Sequence, residues 1–352
     1  ALTEPVSRPM GAVWGLAGVL WLVSGGLLAL SPRSWWWVAL LALVLSQAAI
    51  FSAWSDARFG TVANGIVLLV AVWAAAANGP WGFRAQYRHD VSAELARMDA
   101  SNESAVLTER DLDTLPQAVS GYLRALDLVG HPVPRHLVLK WEGRIRGGPE
   151  EDWMTFTAEQ HNFLGRPSRY FLMDARRSGL PVDVYHRYVS GHATMRVRLL
   201  SLLPMVDAAG PLMNRAETVT VFNDLLLFAP AALVTAPIRW EELDAGTVRG
   251  HYTVGDETVS ATLTFGEDGL LADFVSEDRA AASADGRIFT PMRWSTPVRE
   301  WTNLGGLKVP AKGRGLWHAP GGAYAYFEGR VTEIELHPWT PSLSRRQAPG
   351  RS

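Results

Sequence analysis

Between Glu159 and His186 the chain gathers the side chains that could do acid–base or metal chemistry: Glu159, Gln160, His161, Asp174 and His186. In a strand, Glu159 and His161 share one face and Gln160 takes the other. Asp174 shares a face with Tyr170 and Leu172. His186 alternates in step with Val182, Val184 and Tyr188, so it points inward if they do. Two carboxylates and two imidazoles are the donors of a zinc site or the partners of a general acid and base. Zinc ligands must all lie ~2 Å from one point, and strand alternation alone does not bring separate strands that close. A hydrogen-bonded structural set, Glu159–Gln160–His161, is the better reading. No G-x-S-x-G, H-E-x-x-H, phosphate loop or dinucleotide fingerprint is present. There is no Cys, which removes thiolate chemistry and iron–sulfur clusters. The residues therefore imply no catalytic residue, no metal, no cofactor and no enzyme.

The elements that position these residues fall in two unlike halves. The 352 residues suffice for about two domains at ~150 residues each. Residues 1–80 carry only five charges, Glu4, Arg8, Arg33, Asp56 and Arg58. The formal net charge of −2 argues against a nucleic-acid partner, which would need a basic field. A hydrophobic content of 48% rules out disorder.

Three uncharged stretches, 9–32, 34–55 and 59–83, predict helices at about 10–30, 35–54 and 61–79. Each is long enough, since ~20 helical residues span a ~30 Å hydrocarbon core. Trp35, Trp36, Trp37, Trp54 and Trp81 sit at the ends, as interfacial aromatics do. Gly11, Gly15 and Gly18 offer a small face for helix approach, and Gln47 is placed to bond a neighbouring helix. Residues 1–80 thus read as a transmembrane domain whose partner is the lipid bilayer, and residues 81–112 as a juxtamembrane linker. Three spans put the N-terminus and the later domain on opposite sides of the membrane. Charge does not decide which: with the N-terminus inside, Arg8 and Arg58 are cytoplasmic, but Arg33, Arg84 and Arg88 are not.

Residues 113–338 read as one α+β domain, followed by a polar tail over 339–352. A helix is expected from Leu115, capped by Thr114, with Val119, Tyr122, Leu123 and Leu126 on one face. From Pro134 the period becomes two. Leu137, Leu139, Trp141 and Ile145 alternate with polar residues, and similar runs recur at 153–163, 169–175, 182–189, 193–199, 247–254, 258–265, 270–276, 292–301, 306–317 and 323–336. Turn pairs such as Gly255-Asp256, Asp268-Gly269 and Gly305-Gly306 separate them. The pattern predicts a large curved antiparallel sheet. Residues 199–236 interrupt it with an apolar helical insertion, in which Asn214 and Glu217 suggest a capping box. That insertion is expected to cover the sheet and close a cavity lined by Leu139, Trp141, Phe156, Val184, His186, Met195, Leu225, Phe228, Leu263 and Trp294.

Several runs carry a resemblance. Leu115-Pro116 through Tyr122-Leu123-Arg124, Phe156 through Glu159-Gln160-His161, Arg215-Ala216-Glu217, Phe228-Ala229-Pro230 through Leu233, and Trp240 are similar to an uncharacterised bacterial family, a domain of unknown function. The run Trp54-Ser55-Asp56-Ala57-Arg58 to Asn64 resembles the start of its longer members. The resemblance spans about 54–338 and implies a fold similar to the lipoprotein carriers, a half-barrel sheet closed by helices around an apolar cavity. The run Phe222-Asn223-Asp224 to Leu227 departs from the pattern.

The resemblance further implies a bacterial inner-membrane protein with its β domain on the extracytoplasmic face. The leading function is binding of an apolar or lipid-like ligand without catalysis. The alternative is an accessory subunit of a larger membrane protein complex.

Overall fold

The computed structural model describes residues 7–98, 105–283 and 285–337. The sequon Asn102-Glu103-Ser104 and the 339–352 tail lie outside the described residues. The chain forms two compact units, one running to Arg88 and including Leu200–Leu203, the other starting at His89 and holding the rest.

The first unit contains α1 (Arg8–Leu30), α2 (Trp35–Ser52), the single turn α3 (Trp54–Ala57) and α4 (Gly60–Asn78). Three of these are long and apolar enough to cross a membrane. Ser7 starts α1 by accepting the Met10 N–H, with Pro9 in the first turn. Trp35, Ala39 and Leu43 of α2 pack on Ala71 and Ala74 of α4. Gln47 does bond its neighbour: its Nε2 donates to Thr61 Oγ1 at 3.1 Å and its Oε1 accepts from Asn64 Nδ2 at 3.0 Å. Such bonds hold helices together where no water competes. The glycine face of α1 is not an interface among the described residues. A Cβ on Gly11, Gly15 or Gly18 would meet nothing within 4 Å. α1 meets α2 through another face, where Ser24 Oγ donates to the Trp35 carbonyl at 3.4 Å.

Residues 81–112, expected as a linker, carry α5 (Phe83–Arg97) and α6 (Glu109–Leu112), and α7 (Gln117–Ala125) follows. Pro116, not Thr114, occupies the cap position of α7. Then come β1 (His136–Ile145), β2 (Met154–Phe163), β3 (Ser168–Arg177), β4 (Leu180–Val189), β5 (His192–Leu199) and β6 (Leu203–Ala209). After α8 (Pro211–Phe228) and a 3-10 turn at Pro230–Val234 the strands resume with β7 (Ile238–Asp244), β8 (Thr247–Val254), β9 (Glu257–Phe265) and β10 (Leu271–Ser276). Two small hairpins, β11 (Ala280–Ala282) with β12 (Phe289–Pro291) and β14 (Trp301–Leu304) with β15 (Leu307–Pro310), flank the two-residue β13 (Trp294–Ser295). β16 (Gly313–Ala319) and β17 (Gly322–His337) end the described chain.

Thirteen strands form one sheet in the order β6-β5-β4-β3-β2-β1-β17-β16-β13-β10-β9-β8-β7. The long β17 therefore joins the two meanders, pairing antiparallel with β1 on one side and β16 on the other. A row of glycines lets the sheet bend there. Gly143 faces Gly329, which faces Gly313. A Cβ on Gly143 would lie 2.2 Å from the Glu328 carbonyl oxygen and 3.0 Å from the Phe156 ring, so no side chain fits. Bulges at Lys140/Trp141 and Gly315/Leu316 add curvature beside that row. Gly143→Ala is expected to destabilise the domain by about 1–3 kcal/mol, as overpacking does. Thermal unfolding checks this; a loss below ~0.5 kcal/mol would mean that the seam does not need glycine there.

The expected insertion at 199–236 is only partly helical. Leu199 ends β5, 203–209 is a strand, and the helix begins at Pro211. Asn214 makes no capping box; its Oδ1 accepts the Ala193 N–H at 2.8 Å and ties α8 to β5. The expected strands 292–301 and 306–317 are broken into short pieces, and 238–244 adds the edge strand β7.

α8 is not a surface cover. From Ala216 to Phe228 every residue except Thr220 is buried, as suits a helix that is apolar on most sides. The sheet wraps it. Phe222 packs on Tyr252 and Phe274, Phe228 meets Trp141 edge-on at 5.3 Å, and Tyr188 Oη bonds Thr218. α7 closes one end, with Tyr122 Oη donating to the Leu226 carbonyl at 2.8 Å. On the outer face, Tyr185 donates to Asp90 at 2.6 Å and Tyr170 to Glu94 at 3.4 Å, so the last turns of α5 cover that side.

Candidate functional site

A cavity of about 210 Å³ lies between α8 and the concave face of the sheet. Strand alternation builds its apolar wall. Trp141 on β1, Phe171 and Met173 on β3, Met195 on β5 and Phe327 on β17 all project into it, and Phe228 closes it from α8. Its other wall is ionic. Arg169 on β3 reaches α8 with Nε 2.8 Å from Asp224 Oδ2 and Nη1 2.9 Å from Glu217 Oε1. Its Nη2 donates to Gln160 Oε1 at 3.1 Å, which also accepts Trp141 Nε1–H at 3.2 Å. Gln160 Nε2 and Asn162 Nδ2 donate to the same Asp224 oxygen at 2.8 and 3.0 Å. Arg169, Glu217, Asp224 and Gln160 are each less than a tenth exposed.

Burial works against the Arg169 charge, but Asp224 and Glu217 outweigh it and hold the guanidinium above its ordinary value. Burial pushes the Asp224 carboxyl up, against the pull of Arg169. His186 sits beside this group, its Nε2 3.1 Å from Glu217 Oε2. Burial drives its pKa down to about 4, Glu217 pulling up while Arg169 and Arg279 push down. The ring is therefore neutral at pH 7.

The structure parts the expected polar set. Gln160 faces the cavity. Glu159 and His161 lie on the opposite face, 3.5 Å apart, with Glu159 half exposed to solvent. Asp174 is exposed on that outer face. Among the described residues, no group of three or more His, Asp or Glu is placed to hold a metal ion. Of the expected lining, Trp141, His186, Met195, Phe228 and Trp294 border the cavity. Leu139, Phe156 and Leu263 are core residues packed away from it, and Val184 packs against that core. Leu225 borders a different cleft of about 1040 Å³, built largely of turns around Pro134, Gly165 and Pro237. We place the site in the smaller void because the buried ionic group converges there.

Arg169, Glu217 and Asp224 went unremarked as a site in the sequence. A signal existed. Arg169 interrupts an apolar strand, and Glu217 and Asp224 lie seven apart on an apolar helix, which puts them on one face.

A second buried histidine sits on the outer face. His136 stacks on Phe163 at 4.4 Å and on His161 and His337 at 5.0 and 5.2 Å. Burial, then the charges of His161 and His337, push its pKa down to about 3. The sign follows from linkage. His136 stays neutral in the fold but takes a proton in the unfolded chain below ~6.5, so its contribution is intact above ~6.5 and is lost as pH falls toward 3. Asp273, raised to about 6 by burial, acts in the opposite sense. A His136→Phe variant isolates the histidine. Between pH 6 and 4 the wild type is expected to lose up to ~1.4 kcal/mol per pH unit more than the variant. Parallel unfolding curves for the two proteins over that range would contradict this.

The fold and the site define a class: a chain with three apolar N-terminal helices, followed by a curved thirteen-stranded antiparallel sheet wrapped around a central helix, with a cavity of one apolar and one ionic wall between sheet and helix. Residues 105–329 match DUF6544, a family of unknown function, and the chain belongs to that family. No curated protein matches it. Similar solved structures include a LolA superfamily protein from Nitrosomonas europaea, at 11% identity and a TM-score of 0.34, covering 65% of this chain and 97% of that one. A DUF1329 family protein from Desulfovibrio piger is similar at 14% identity and a TM-score of 0.35, covering 65% of this chain and 93% of that one.

Proposed function

We propose that this protein is a membrane-anchored binding protein that holds an apolar, lipid-like ligand between α8 and the concave sheet. The observation that carries this reading is the void itself. Protein cores are close-packed, with few gaps larger than a water molecule. Here Phe171, Met173, Met195 and Phe327 line about 210 Å³ of unfilled space. That is smaller than the ~300 Å³ at which pockets for drug-sized ligands begin, so it suits a small apolar ligand such as a single alkyl chain. Two methionines supply a wall that adapts to such a chain. The three apolar helices would keep the binding domain at the bilayer, on the extracytoplasmic face of a bacterial inner membrane.

Extraction in mild detergent followed by lipid mass spectrometry tests the binding. The wild type is expected to retain one apolar species in near-equal amount, and Met195→Trp, which fills the void, to retain at least fivefold less. Equal lipid in both, with a protein partner co-purifying instead, would favour the accessory-subunit reading. Sidedness has its own test, since the chain has no Cys. A lone Cys replacing the exposed Glu267 should react with an impermeant thiol reagent in intact cells. Reaction only after lysis would reverse the topology.

A further inference from the structure

Among the described residues, five buried side-chain nitrogen or oxygen atoms have no hydrogen-bond partner. Four belong to residues that line the one cavity: His186 Nε2, Arg279 Nε, Trp294 Nε1 and Arg314 Nε. All are nitrogens, and the arginine and tryptophan ones can only donate. A buried donor left without an acceptor is costly, and native proteins leave few. Two of the four have a charged neighbour in poor alignment, His186 beside Glu217 at 3.1 Å and Arg314 beside Glu328 at 3.3 Å. Arg279 and Trp294 have none. Trp294 is 3% exposed. The Arg279 guanidinium stacks 4.3 Å above its ring and 5.4 Å from Trp317. No carboxylate among the described residues forms an ion pair with Arg279, whereas Arg169 on the same cavity has two.

We propose that Arg279 and the Trp294 indole N–H form the head-group end of this cavity, and that its ligand is an anionic amphiphile, an alkyl chain bearing a carboxylate or phosphate. The proposal rests on the binding function above. An anionic oxygen supplies what this end lacks, an acceptor for two stranded donors and a counter-charge for an unpaired guanidinium. The other cationic end is closed to it, because Glu217 and Asp224 already occupy Arg169 and would repel a third anion. A small swing of Arg279 off the Trp294 ring brings its N–H groups to the ligand, and the chain then runs along Phe171, Met173 and Met195. An uncharged lipid fills the same apolar space but leaves the two stranded donors and the unpaired guanidinium unanswered.

The test uses the full chain in phosphatidylcholine nanodiscs loaded with N-phenyl-1-naphthylamine, an uncharged fluorophore. Hexadecanoate, hexadecyl phosphate and hexadecanol are titrated against it, with empty nanodiscs as the blank. At least one anionic probe is expected to displace the dye at a tenfold lower concentration than hexadecanol. Whichever anion is stronger identifies the source as a fatty acid or a phosphate ester. Arg279→Gln is expected to weaken that anion about tenfold and shrink its advantage over hexadecanol below threefold. Trp294→Phe keeps the ring and removes the donor, and is expected to weaken the anion severalfold with a smaller effect on the alcohol. Equal displacement by all three probes, or an equal loss for all three in Arg279→Gln, overturns the head-group assignment and leaves the binding function standing. If the dye and all three probes fail to bind the wild type, the binding function itself fails.

Discussion

Arg169→Met is expected to destabilise the β domain by about 3–5 kcal/mol, because it strands two buried carboxylates. Asp224 would keep only its bonds from Gln160 and Asn162, and Glu217 would keep only His186 nearby. Arg169 is also the side chain that ties α8 to two strands at once, through Gln160 on β2 and its own place on β3, where it stacks on Phe171. The cost comes from unpaired charge more than from a lost attraction. A triple variant, Arg169→Met with Glu217→Gln and Asp224→Leu, removes all three charges together and should recover most of the loss. Thermal unfolding of the full chain in detergent measures both. If the single and triple variants are equally unstable, packing, not charge, sets the role of Arg169.

Trp141→Ala should cost about 3–5 kcal/mol, the range for deleting a large buried aromatic. The indole is 8% exposed and meets Phe228 and Phe327 edge-on at 5.3 and 6.0 Å. One side borders the cavity, so the loss belongs near the lower end of that range. Trp141→Phe keeps an aromatic ring but loses the Nε1–H bond to Gln160 and part of the buried indole, at about 1–3 kcal/mol. Chemical denaturation separates the two variants. A Trp141→Ala loss below ~1 kcal/mol would mean that the indole packs against nothing that matters to the fold. The alanine variant also widens the void, and should accept bulkier apolar ligands than the wild type.

Much of the architecture was legible residue by residue. Hydropathy placed the three apolar helices within two residues of their observed ends, because membrane length is a local property of the chain. Period-two alternation set the faces of β1 to β5, which is why His186 was expected to point inward and Glu159 to share a face with His161. The 199–206 run misled because Leu200, Leu202, Leu203 and Pro204 lack alternation, so a strand edge looked like a helix. The two-residue β13 was visible only as part of the longer run expected at 292–301. Its pairing with β10 and β16 is decided by distant chain, and two residues carry no period. The site suffered from the same cause. Gln160 stood among the candidates between two outward-facing neighbours, while its real partners, Arg169 and Asp224, are nine and sixty-four positions away. Asp224 was visible only as a departure from the family pattern. The structure makes it the acceptor on which Arg169, Gln160 and Asn162 converge.

The central claim is that an alkyl chain lies between α8 and the concave sheet. A hexadecanoate probe with a photoreactive diazirine near the chain end tests this most directly. After irradiation of the full-length protein in nanodiscs, the labelled peptides are mapped by mass spectrometry. The account places the label on the peptides holding Phe171, Met173 and Met195, and expects excess unlabelled hexadecanoate to suppress it. Label confined to the three N-terminal helices, with the β-domain peptides clean, would show that the probe meets only the bilayer and would contradict the account.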